Sequence, residues 1–307
     1  MNIKRAVKFV LLTAVCYLLL AFNVFHIGEK LVPKSKNYLK EHIPSEDKEI
    51  EESFFDEISV QLQYHGSAET RYEHMTTTLC KRTKLCDKIS LQGTYNAIDT
   101  YTYTRGSIAL IEFIDQNRSK EKEIKNVIEK IEIYQDTGSR RGYATRNNII
   151  LNLGSVESKK EFAELLTHEM GHIKDLGYLQ GENSKKDKAF TEFGKIVFAI
   201  DDPSFDFYRI SRNSETIRKA EAKKKDFCSG YGMTNPFEDF AECFNLYLNH
   251  NSLFREIAKN NNNLSKKYNT IARRANGKYM ASRQQEIDIV KDNASRRPRD
   301  TTRIQTN

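Results

Sequence analysis

The chain has 307 residues, of which 38% are hydrophobic and 30% charged, and its formal charge is +7. That hydrophobic share is ordinary for a globular protein, and the length allows one large domain or two small ones with a sizeable core. The charge is uneven: from Ser265 onward eleven Lys/Arg face four Asp/Glu, a difference of +7, so the rest of the chain is near neutral. A basic tail of this kind can touch anionic lipid, nucleic acid or cell-wall polymer. No recognised nucleic-acid motif accompanies it, so no specific nucleic acid is expected as a partner.

Lys4, Arg5 and Lys8 precede an apolar run over residues 9–27. At about 1.5 Å per residue this run can cross roughly 30 Å of hydrocarbon. It reads as a signal anchor, because no small-residue cleavage site follows it. Residues 1–8 then stay in the cytoplasm and the rest is exported. The expected location is the cell envelope, membrane-anchored through this N-terminal helix, or secreted if the segment is cut. Four cysteines lie beyond the run: Cys80, Cys86, Cys228 and Cys243. They allow three pairings, and unpaired buried thiols are an equal alternative.

Residues 28–50, with Pro33, Pro44 and mixed charge, read as a linker, and 51–88 as partly helical. The stretch 107–114, SIALIEFI, predicts a strand. Over 119–134, Ile124, Val127, Ile128 and Ile131 fall at helical spacing and predict a helix. NNIILNLGS, 147–155, predicts a short strand ending in a glycine turn. A helix then starts near Ser158, which with Glu161 fits a capping box. Its Phe162, Leu166, Met170 and Ile173 share one face; Glu161, His168, His172 and Asp175 share another. Gly177 is the expected stop. Residues 181–225 read as charged and loop-rich, and a further helix begins at TNPFEDFAECFNLYLNH. More helix is expected to about 292, with a polar break at 260–263, and then a basic disordered tail over 293–307.

His168, Glu169 and His172 form an H-E-x-x-H pattern on the first of these helices. Residues four apart lie one turn apart, so both imidazoles can reach one ion, while Glu169 sits near a bound water. Gly171 is expected to leave space beside the metal. Asp175 is either a solvated charge or a group that orients a ligand imidazole from behind. A catalytic zinc site wants a third ligand. Asn235 suits an N-cap and Pro236 the first helical position, which puts Glu238 and Glu242 on one face, one turn apart. Glu238 fits a metal ligand or the closing residue of a capping box on Asn235. Glu242 fits a support for a histidine or a solvated charge.

The segment Tyr231-Gly-Met-Thr-Asn-Pro-Phe-Glu238-Asp-Phe-Ala-Glu242, following His168-Glu169-Met170-Gly171-His172, resembles the active-site helices of the anthrax lethal factor and Pro-Pro endopeptidase group of gluzincin zinc metallopeptidases. The likeness covers about residues 145–250. It implies one Zn2+ per chain held by His168, His172 and Glu238, with Glu242 behind a ligand histidine. It implies that Glu169 activates water and that the Tyr231 hydroxyl faces the oxyanion. It further implies that the strand Asn148, Ile149, Ile150, Leu151, Asn152 and Leu153 is the edge strand that pairs with an extended peptide. The specificity loops of that group do not align here, so no Pro-Pro specificity is implied. The expected fold is α+β, mostly helical, a zincin-like domain over 51–292 with a small mixed sheet. The expected activity is a zinc metalloendopeptidase acting on a peptide or protein. A cell-wall peptide hydrolase and a non-catalytic zinc-binding envelope module are the rivals. The presence of both Glu169 and Tyr231 speaks against the latter, because a purely structural zinc needs neither.

Overall fold

Alternation of isoleucine with polar residues sets the sheet. The computed structural model describes residues 68–115, 123–135, 140–280 and 298–304. Its strands are β1 (Ile89–Gln92), β2 (Lys130–Tyr134), β3 (Gly142–Ala144) and β4 (Asn148–Asn152). Its helices are α1 (Ala68–Thr83), α2 (Ala97–Asp115), α3 (Ile124–Val127), α4 (Lys159–His172), α5 (Phe205–Ser211), α6 (Pro236–Asn249), α7 (Asn251–Ala258) and α8 (Asn262–Arg274). The fold is α+β and mostly helical, with one small mixed sheet. The chain divides into two units after Met75, and everything below lies in the second, Thr76–Asn307. Among the described residues no helix is long and apolar enough to cross a membrane. The expected anchor at 9–27 and the linker at 28–50 lie outside the described residues.

The sheet order is β1-β2-β4-β3, with β1, β2 and β4 parallel and β3 antiparallel to β4. Ile131 and Ile133 on β2 stand beside Ile149 and Leu151 on β4, and all four are fully buried. Parallel neighbours need a crossover, and α2 and α3 lie in the chain between β1 and β2. The hairpin from β3 to β4 closes where Thr145 N–H donates to Asn148 O at 2.8 Å and Asn148 N–H donates to Thr145 Oγ1 at 3.1 Å.

Three sequence expectations change. Residues 107–114 are helical, inside α2, where Thr104, Ile108, Ile111 and Asp115 are buried at helical spacing. An apolar run of eight reads alike as strand or helix; Asn96 decides it by accepting the Asp99 N–H at 2.8 Å as the helix starts. Among the described residues of 119–134, namely 123–134, only α3 is helical, because Ile128 leaves it in an extended conformation and the alternating KIEIY joins the sheet. Lastly, β4 is an interior strand, so the sequence 148–153 is not the sheet edge. Leu153 itself lies in the 3-10 turn Leu153–Ser155. The edge on that side is β3, three residues long and too short to show in the apolar pattern.

Helix α4 packs Phe162 against Tyr103 of α2, their ring centroids 4.8 Å apart. Helix α6 covers its other side. Buried Lys267 of α8 reaches Asp239 of α6 at 2.6 Å, which fixes α8 against α6. Of the three possible cysteine pairings the structure has Cys80–Cys86 and Cys228–Cys243. The second closes a 15-residue separation and ties the Tyr231 segment to α6. Replacing Cys228 and Cys243 with serine is expected to lower unfolding free energy by about 2–4 kcal/mol in oxidising buffer. Urea titration of both forms checks this, and an unchanged midpoint would contradict it.

Candidate metal centre

Ser158 starts α4 as expected, its hydroxyl accepting the Glu161 N–H at 3.1 Å. The reciprocal half differs from a capping box: Glu161 Oε2 accepts the N–H of Glu157, at 2.8 Å. Phe162, Leu166, Met170 and Ile173 pack inward as read from the spacing. The other face is buried too, with His168 4% and His172 7% exposed, because α6 lies over it. Gly171 is where the helices meet. A β-carbon there would come within 2.9 Å of Ala241 Cα, so the missing side chain admits α6 rather than opening space beside an ion. Gly177 does not end the helix sharply; the chain continues as a π-helical turn, Ile173–Tyr178. A β-carbon on Gly177 would overlap Arg146 O at 2.0 Å, so that glycine serves a close approach.

Asn235 caps α6 by accepting the Glu238 N–H at 2.8 Å, with Pro236 at the first position. The Glu238 side chain turns away from the cap toward α4. Its Oε2 lies 3.1 Å from His168 Nε2 and 3.4 Å from His172 Nε2. Donor atoms of His168, His172 and Glu238 all lie within 4.8 Å of one another, a group able to hold a metal ion. Two imidazoles and a carboxylate suit zinc among the divalent ions. One turn on, Glu242 Oε1 stands 2.9 Å from His168 Nδ1, an ion-pair contact short of well-aligned hydrogen-bond geometry. The Tyr231 hydroxyl donates to Glu238 Oε1 at 3.1 Å, and its ring faces the His168 ring at 6.1 Å between centroids.

The charges hold one another. Burial opposes protonation of both histidines, yet Glu238 and, for His168, also Glu242 keep the imidazoles more basic than usual. Burial likewise works to raise the Glu238 carboxyl, but the two histidines hold it far below the ordinary carboxylate range. Glu169 is raised, first by burial. Its Oε2 is buried with no hydrogen-bond partner among the described residues, which leaves an acceptor for water at the site.

These groups line a cleft of about 1260 Å³ together with β3, Phe193 and residues from Pro298 to Ile304. In the β3–β4 ladder Arg141 O, Tyr143 and Thr145 N–H face β4. Alternation therefore leaves the N–H and C=O of Gly142 and Ala144 on the free edge. Gly142 brings that edge close to the Glu169 carboxylate: a β-carbon there would meet Glu169 Oε1 at 2.8 Å.

Two residues take other roles. Asp175 is fully buried and accepts a hydrogen bond from the Tyr208 hydroxyl of α5, and the charge of His172 works to lower its carboxyl against the larger effect of burial. His250, the only later histidine, is buried with its Nε2 2.9 Å from Glu164 Oε1, so it braces α4 and is no part of the ligand group. Sequence reasoning missed Glu164, Gly142, Arg141 and the 298–304 segment. Glu164 alone carried a signal, one turn before His168 on the same face. Residues 298–304, expected to be disordered, are packed against the site, with Thr301, Thr302 and Ile304 buried. No protein-family model, curated protein or solved structure matches the chain.

Gly171→Ala is expected to lower stability by about 1–3 kcal/mol through overpacking against Ala241 and to weaken metal binding, because α6 must shift outward. Parallel melting and metal titration check both; a metal affinity equal to wild type would contradict the shift. Burial pushes the Asp175 carboxyl up to about 7. The unfolded group titrates near ~3.9, so the native state binds the extra proton and stability falls as pH rises through that window. Asp175→Asn, measured metal-free in urea, is expected to gain on wild type by on the order of a few kcal/mol between pH 4 and pH 8. A constant difference across that range would contradict this.

Proposed function

We propose that the protein is a zinc-dependent metalloendopeptidase of the gluzincin kind, hydrolysing peptide bonds outside the cytoplasm. The observation that carries this reading is the convergence of His168, His172 and Glu238 beside an unpartnered, buried Glu169 carboxylate oxygen. His168 and His172 through Nε2, and Glu238 through Oε2, would hold the ion. When bound, zinc supplies Lewis-acid polarisation of a carbonyl and lowers the pKa of water.

The remaining steps belong to the chain's own side chains. Glu169 takes the proton of the attacking water and passes it to the leaving amine. Tyr231, whose ring faces His168, swings its hydroxyl from Glu238 to the oxyanion that forms on the carbonyl. An extended peptide pairs with the free edge of β3 through Gly142 and Ala144. Glu242 fixes the His168 ring from behind. The two disulfides support export to an oxidising place, and the apolar run at 9–27 supplies the tether to the envelope membrane.

Cleavage of a peptide library by zinc-loaded protein tests this reading. Glu169→Gln is expected to keep its zinc and lose activity by about 10²–10⁴-fold, whereas Glu238→Ala is expected to lose the zinc. Full cleavage by Glu169→Gln would overturn the mechanism. Wild type that binds zinc and cleaves nothing would favour a non-catalytic module.

A further inference from the structure

Glu242 has no contact with water, being 0% exposed. A carboxylate in that position needs partners for both oxygens. One oxygen faces His168 Nδ1 at 2.9 Å. The other accepts the backbone N–H of Thr301 at 2.8 Å, from a residue 59 positions further along the chain. Thr301 is itself 0% exposed. Its hydroxyl donates to Glu242 O at 3.4 Å and accepts from Asn245 Nδ2 at 3.0 Å, so it grips one face of α6 at three points.

The segment around Thr301 is pinned on both sides. Asp300 caps the 3-10 turn Thr301–Arg303 by accepting the Thr302 N–H at 2.8 Å. Arg141, beside β3, reaches Asp300, Thr302 Oγ1 and Glu161, and Arg303 also reaches Glu161, at 2.7 Å. On the near side, Pro298 O and Arg299 O accept the N–H groups of Gly230 and Tyr231 at 2.9 and 2.8 Å. The same short stretch thus holds the backbone of Tyr231 and the carboxylate behind His168.

We propose that residues 298–304 are a positioning element of the metal centre, with the Thr301 amide holding Glu242 so that Glu242 holds His168. This rests on the reading of His168 as a metal ligand. The physical reason is directness. A charge-assisted bond from a fixed backbone amide orients the carboxylate, and the carboxylate in turn fixes the tautomer and plane of the ligand ring. Removing the amide leaves a buried charge with one partner, which turns to seek another and releases the ring.

Thr301→Pro removes the amide proton with little demand on the backbone. Thr301 opens a 3-10 turn, where proline fits, and Asp300 before it is extended at φ −152 and ψ 130, as a residue preceding proline prefers. Zinc affinity of the full chain is measured by chelator competition, alongside the melting temperature without metal. Thr301→Pro is expected to weaken zinc by about 10–100-fold. Thr301→Val keeps the amide and is expected to restore most of that loss. If these residues only clamp the fold, Thr301→Pro lowers the melting temperature and leaves zinc affinity at the wild-type value, which overturns the proposal. Should Thr301→Pro fail to fold, Asp300→Ala loosens the turn from outside; weaker zinc supports the proposal and unchanged zinc overturns it. A wild type that binds no zinc removes the ligand reading itself, and this inference with it, whereas a wild type that binds zinc while Thr301→Pro binds it equally removes only the inference.

Discussion

Gly171 against Ala241 is the contact on which the site depends. Two helices can offer ligands to one ion only when their backbones come close, and here the approach leaves no room for a single β-carbon on Gly171. The consequence is spatial. Histidines spaced one turn apart on α4 meet glutamates spaced one turn apart on α6, and the first pair of contacts falls at 3.1 and 3.4 Å. Interiors packed this tightly transmit displacement rather than absorb it. A small change at the helix crossing therefore reaches His168, His172 and Glu238.

Electrostatics holds the same arrangement from within. Burying His168, His172 and Glu242, and most of Glu238, is unfavourable for each alone, and each is tolerated because an opposite charge stands in contact. Glu238 also sits in the first turn of α6, where the positive end of the helix favours a carboxylate. Glu169 is the exception, a buried carboxylate whose Oε2 has no partner among the described residues. Such an atom is expected at a place built for chemistry rather than for stability. The free edge of β3 beside it gives an extended chain something to pair with.

Much of this was legible in the sequence because it is local. The caps Ser158 and Asn235, the proline after Asn235, and the one-turn spacings of His168 with His172 and Glu238 with Glu242 are all set within a few residues. The resemblance to the gluzincin group added weight to the second helix as an expectation. What was not legible is non-local. β3 has three residues and its edge position depends on pairing with β4. Asp175 could not be assigned because its partner, Tyr208, lies 33 residues away. The Thr301 amide carries no side-chain signal, and a basic, polar stretch reads as a tail until its contacts with Glu161 and Glu242 are seen. Residues 107–114 failed for a different reason, since apolar composition without its capping context does not separate helix from strand.

X-ray absorption at the zinc edge of the zinc-loaded protein tests the central claim most directly. The expected result is one ion per chain with two imidazole nitrogens, a carboxylate oxygen and no sulfur in its coordination sphere. A sulfur shell, or fewer than two imidazoles, would contradict it, because the ion would then lie away from the crossing of α4 and α6.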